Sequence, residues 1–157
     1  MRRRLVALTL CLVGLVALAG ISAATTVATK QRVVIDMKER PGVGSFVLKP
    51  LTAGPVKRDT GMYTWVVTSK TTGTRDGQSF ERVVADVTYE GENGTFVARE
   101  VDFLVAVAIG QRAATGTWKI LRGTGAYSEV RGHGRLAAAI GVVSPSPWRY
   151  EGFLTSP

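Results

Sequence analysis

The sequence predicts an all-β protein: one closed, antiparallel, eight-stranded β-barrel behind an N-terminal export signal. Three observations carry that expectation. From residue 32 onward, apolar, β-branched and aromatic residues alternate with polar ones in short runs, the period of a half-buried strand. Glycines fall between the runs, at Gly42, Gly54, Gly61, Gly73, Gly77, Gly94, Gly110 and Gly123, where turns are needed. The single cysteine, Cys11, lies ahead of the runs, so no disulfide ties them together. Eight strands without disulfides suit a closed barrel, and a two-sheet sandwich is the runner-up.

The chain opens with the three parts of a secretory signal peptide, residues 1–24. Arg2, Arg3 and Arg4 make a positive start, Leu5 to Val16 is a short apolar core, and Ala17-Leu18-Ala19 and Ser22-Ala23-Ala24 are two small-residue cleavage sites. The rival reading is a retained membrane anchor, for which the apolar run from Leu5 to Ile21 is short against the ~20 residues that span a bilayer. No cysteine follows the small residues where a lipid would be attached. The expected protein is therefore secreted, with no stable membrane insertion once the signal is cleaved.

Residues 25–31 read as a short exposed lead-in, and residues 32–157 as the barrel domain. The candidate strands are Arg32 to Lys38, Gly44 to Leu48, Tyr63 to Thr68, Phe80 to Tyr89, Thr95 to Ile109, Ala114 to Leu121, Gly132 to Ile140 and Trp148 to Thr155. No stretch sustains a helical period beyond one weak turn at Gly125 to Arg131.

One hairpin can be registered from the pattern alone. Phe80 to Tyr89 carries its apolar residues at odd positions (Val83, Ala85, Val87, Tyr89), and so does Thr95 to Ile109 (Val97, Val101, Phe103, Val105, Val107, Ile109). A two-residue Asn93-Gly94 loop would set Val87 opposite Glu100 and Ala85 opposite Asp102, mixing the faces. A three-residue loop, with Gly94 left-handed, sets Val87 opposite Arg99, Ala85 opposite Val101 and Val83 opposite Phe103, and keeps one face apolar. That register turns Arg99 inward, where a guanidinium requires an acid, carbonyls or a bound anion. Glu81 and the Tyr89 hydroxyl are its expected partners, and a structural ion pair is the plain alternative to a ligand contact. Trp65, Trp118 and Trp148 fall on strands, where they fill a core or line a cavity. Arg99, Tyr89 and Trp118 are the candidate ligand-binding residues.

Charge and composition exclude several function classes. The formal net charge of +8 falls to +5 without the three signal arginines. Acids cluster between Asp76 and Asp102 and bases between Arg112 and Arg149, a distribution that side-by-side strand pairing would neutralise. No run of consecutive bases longer than the Lys57-Arg58 pair follows the signal, so nucleic acid is not the expected partner. His133, the only histidine, sits between Gly132 and Gly134, and no serine occupies a Gly-x-Ser-x-Gly elbow. Glu100-Val101-Asp102 puts two acids on one face and reads as a solvated face rather than a metal site. Gly123-Thr124-Gly125 lacks the rest of a phosphate loop. Asn93-Gly94-Thr95 is both a glycosylation sequon and a turn sequence, and the turn accounts for it. No cofactor and no metal are implied, and the composition admits an oligomer.

The segment Leu121-Arg122-Gly123-Thr124-Gly125-Ala126-Tyr127-Ser128-Glu129-Val130-Arg131-Gly132 resembles the Gly-(Gly)-Thr-Gly-x-Phe-x-x-Ala-Arg-Gly signature of dirigent proteins. It is also similar to the Gly-Gly-(Ser/Thr)-Gly-x-Phe-x-Gly segment of allene oxide cyclases. Gly123, Thr124, Gly125, Arg131 and Gly132 match, Tyr127 stands where those families carry Phe, and Arg122 and Val130 depart from the pattern. The resemblance implies an eight-stranded antiparallel barrel with Tyr127 plugging one end. It carries over no catalytic residue. Three functions follow as competing expectations. One is a secreted barrel holding a small, largely apolar molecule. A second is a cofactor-free isomerase or cyclase, or dirigent-like steering of a reactive intermediate. The third is a non-catalytic cell-envelope protein with a filled interior.

Export is directly testable. The secreted chain should begin at Gly20 or Thr25 on N-terminal sequencing, and full-length chain in the membrane fraction would overturn the signal reading.

Overall fold

The computed structural model describes residues 29–40 and 43–156; the signal sequence, both of its cleavage sites and most of the lead-in lie outside the described residues. Eight strands follow one another: β1 (Thr29–Arg40), β2 (Val43–Pro50), β3 (Asp59–Arg75), β4 (Gln78–Gly91), β5 (Gly94–Ala108), β6 (Gln111–Gly123), β7 (Arg131–Ile140) and β8 (Ser146–Ser156). Each pairs antiparallel with the next, and β1 pairs with β8, so one sheet closes on itself in a ring. Every strand expected from the alternation is present, most of them longer than the pattern suggested. The single helical turn falls at Gly125–Tyr127.

Closure leaves no edge strand to cap, and side chains alternate between the two faces apart from register shifts in the β3–β4 and β5–β6 pairings. The inner face carries Val33, Ile35 and Met37 from β1, Phe46 and Leu48 from β2, Tyr63 from β3, Val87 and Tyr89 from β4, all buried in one core cluster. Phe96, Ala98, Trp118, Leu136, Tyr150 and Leu154 complete it from β5 to β8. Aromatic rings form a column along this interior. Tyr127 packs on Phe96 at 4.7 Å, Phe96 stacks on Tyr89 at 4.4 Å, Tyr89 meets Tyr63 at 5.9 Å, and Tyr63 meets Trp65 at 5.8 Å.

One end of the ring is plugged. Tyr127 is fully buried and its hydroxyl donates to Asp59 Oδ2 at 2.7 Å. Asp59 Oδ1 accepts from the backbone N–H groups of Thr60 and Glu92, both at 2.9 Å, and the Asn93 N–H lies 3.4 Å from both oxygens. The expected exposed lead-in is partly inside: Thr29 to Gln31 belong to β1, and Gln31 is buried. Its side-chain amide donates to Val56 O at 2.8 Å and Thr52 O at 3.0 Å and accepts from Val56 N–H, so a buried glutamine satisfies the β2–β3 loop.

The β4–β5 hairpin corrects the expected register. Its loop is Glu92-Asn93, with Gly91 opposite Gly94, so Val87 faces Ala98, Ala85 faces Glu100, Val83 faces Asp102, and Asp86 faces Arg99. Neither Asn93-Gly94 nor a three-residue loop closes the turn. Two glycines fix the choice. The Asp59 carboxylate fills the space a side chain on Gly91 would take, and Gly94 adopts φ +141°, which L side chains rarely adopt. The inward residues of β5 are therefore even-numbered, and its apolar odd-numbered residues face out.

Tyr127→Phe should cost about 2 kcal/mol, because Asp59 Oδ2 loses its short hydrogen bond while staying buried. Urea unfolding measures it, and an unchanged midpoint would remove the plug from the list of stabilising features.

Candidate functional site

At the end away from Tyr127 the ring holds a pocket of about 620 Å³. Its wall is largely apolar, with Val67, Val83, Ala85, Val87 and Leu104 among its lining. The rim carries Ala106, Ala108, Gln111 and Arg112. Ala106 and Ala108 are exposed and so mark the open side. Polar groups gather on the inner surface: Glu39, Tyr63, Glu100, Asp102, Trp148 and Tyr150.

Glu100 and Asp102 are two residues apart on β5, both inward and both 4 % exposed. Strand geometry sets their Cα atoms ~7 Å apart on one face. Glu100 accepts a hydrogen bond from the Tyr89 hydroxyl at 3.1 Å. The Tyr89 hydroxyl also lies 3.2 Å from Met37 Sδ. Asp102 Oδ1 is buried without a hydrogen-bond partner among the described residues. It rests over Gly116 of β6, where an added Cβ would come within 2.8 Å of it, so a missing side chain creates the niche.

Burial dominates the electrostatics. It raises the Glu100 carboxyl to about 8, helped by the neighbouring Asp102 and resisted by the hydrogen bonds from Tyr150 and Tyr89. Burial alone raises Asp102 to about 7. The Tyr89 and Tyr150 phenols are pushed well above their ordinary value, first by burial and then by Glu100, so both remain donors. Near neutral pH burial thus favours the protonated form of both carboxyls far more than for an exposed acid. Glu39 is engaged separately, accepting from Trp148 Nε1–H at 2.7 Å.

The three expected ligand-binding residues part company. Arg99 is on the outer face, not inside: its Nε and Nη2 donate to Asp86 Oδ1 at 2.8 Å and Oδ2 at 2.9 Å. Arg99 holds the Asp86 carboxyl below its usual range in an exposed pair of small energetic worth. Neither expected partner touches it: Glu81 is held by Lys70 at 2.8 Å and by Arg112 at 3.7 Å. Trp118 is buried but packs against the paired Gly134 and Gly152 and donates to Arg135 O at 3.2 Å, outside the pocket lining. Tyr89 reaches the site through Glu100. Glu100 and Asp102, expected on a solvated face, are the polar centre. Their (i, i+2) spacing was visible in sequence, but which face they occupy depends on the β4–β5 turn.

The chain matches no family model, no curated protein and no solved structure.

The two raised carboxyls set the sign of the pH dependence of stability. Unfolding returns both to ordinary carboxylate values, so between about pH 4 and pH 8 the native state binds more protons than the unfolded chain. The contribution of these two groups to stability is greatest below that window, falls as pH rises through it and levels off above pH 8. Glu100→Gln should flatten the decline and leave the protein more stable than the parent at pH 8.5, as read from urea midpoints across pH. A decline of unchanged steepness would exclude Glu100 as its source.

Proposed function

We propose that this protein is an exported β-barrel that takes a small, largely apolar molecule into its interior. The observation that carries the reading is the pocket itself: about 620 Å³, plugged at one end, apolar along the wall and polar at a few converging atoms. Small-molecule sites occupy about 300–1,000 Å³ and combine these features. An envelope protein with a filled interior would have no such volume, so the pocket favours binding over a purely structural role. Export rests on the tripartite start of the chain.

A second reading, a cofactor-free isomerase or cyclase, is favoured by one specific observation. Burial raises the carboxyl pKa values of Glu100 and Asp102 to about 8 and about 7, close to the neutral range in which a general acid or base works best. In this role Glu100 donates from its protonated form, with Tyr89 holding the carboxyl in place, and Asp102 accepts from the substrate through its unpartnered oxygen. The dirigent-like turn at Gly123 to Gly132 agrees with such chemistry in a barrel, through fold and not through shared residues.

A neutral fluorescent probe such as N-phenylnaphthylamine should bind saturably, with one site per chain. Ala106→Trp, which puts an indole at the rim, should abolish binding while shifting the thermal midpoint by no more than a few degrees. Undiminished binding to that variant, or no saturable binding to the parent, would overturn the reading.

A further inference from the structure

Three features of the pocket converge on one ligand chemistry. Asp102 is 96 % buried against solvent, yet Oδ1 has no donor among the described residues, and an orphaned buried acceptor in a cavity wall calls for a donor from whatever fills the cavity. The terminal torsion of an aspartate is broad and two-fold, so either oxygen can turn toward the cavity. Three acids line the pocket, Glu39, Glu100 and Asp102, against one base, Arg112, which lies at the rim within 3.7 Å of Glu81. Two aromatic pairs flank the acids: Tyr63 with Trp65 at 5.8 Å, and Trp148 with Tyr150 at 6.5 Å. Aromatic faces beside carboxylates attract cations and reject anions.

We propose that the pocket selects an apolar molecule bearing a positive charge, an amine or quaternary ammonium, with its cationic end against Asp102 and Glu100 and its apolar body along the wall toward Ala106. The inference rests on the pocket reading above and adds the charge of the ligand. An organic cation is favoured over a metal ion because, among the described residues, no three His, Cys, Asp or Glu side chains come together as ligands. The carboxyls also supply a linkage. A bound cation stabilises their ionised forms and lowers their pKa values from about 8 and 7, so binding near neutral pH releases protons. The other groups facing them do not compete for this role. Glu39 on β1 accepts from Trp148, the Tyr63, Tyr89 and Tyr150 phenols stay protonated, and Arg112 on β6 sits at the rim beside Glu81.

The test uses two probes matched in shape and different in charge, adamantylmethylamine and adamantylmethanol, titrated calorimetrically into the full domain at pH 7. The amine should bind about tenfold or more tighter than the alcohol, a difference of at least ~1.4 kcal/mol. Its apparent heat should vary with the ionisation heat of the buffer, reporting proton release, and that of the alcohol should not. Asp102→Asn should retain the alcohol and lose both the preference and the proton release. If Asp102→Asn does not fold, Glu100→Gln carries the same comparison, with the preference reduced. Equal or tighter binding of the alcohol would overturn the charge assignment while leaving the apolar pocket intact. Binding of neither probe would overturn both. A preference for the amine that survives both substitutions would overturn the assignment to these carboxyls.

Discussion

The structure turns on the pairing of β4 with β5. Asp59 gathers the backbone N–H groups of Glu92 and Asn93 and the Tyr127 hydroxyl. The segment after β6 closes over the same turn, with Thr124 N–H donating to Thr95 O at 2.7 Å and Ala126 N–H to Asn93 O at 2.9 Å. The two-residue Glu92-Asn93 loop is thus held from two directions, and its position dictates parity for the whole length of β5. A slip of one residue would turn Glu100 and Asp102 to solvent and bring Val101 and Phe103 inside. The plug and the pocket lie at opposite ends of the ring, yet one turn determines both.

The arrangement that results is locally unfavourable. Two carboxyl groups are buried where an apolar residue would pack at no electrostatic cost, and an unpaired buried charge is among the costliest groups a core can hold. The molecule meets the cost by keeping Glu100 protonated near neutral pH, supplying it with hydroxyl partners, and leaving Asp102 a niche over Gly116. Asp102 Oδ1 has no hydrogen-bond partner among the described residues. Local rules are broken most readily where function requires it, and the break coincides with the open pocket.

The outer surface shows the complementary anomaly. Phe103 is 42 % exposed, Val107 59 % and Ile109 fully, all on the odd-numbered face of β5 and the turn that follows it. Phe80 of β4 covers Phe103 at 5.9 Å between ring centroids, so part of the stripe is screened by its neighbour. Some exterior acids and bases pair across strands, as with Asp86 and Arg99 or Asp36 with Lys49 and Arg149. The acid-rich and base-rich segments meet at Arg112 and Glu81, while Lys70 also holds Glu81 and Arg99 holds Asp86.

The sequence by itself determined the all-β class, the eight strands and the single helical turn, because alternation and glycine placement are local signals that closure into a ring does not alter. The resemblance of the Gly123-to-Gly132 segment also implied Tyr127 as an end plug, and Tyr127 is fully buried. The identity of the site was decided by tertiary structure. Hydrophobic parity on β5 pointed the wrong way, because its outward residues are the more apolar set. The deciding contacts were long-range: Asp59 of β3 with the β4–β5 turn, and Gly116 of β6 beneath Asp102. No pattern within β4 and β5 contains those partners. Arg99 therefore read as buried and Glu100 as solvated, and the register reversed both.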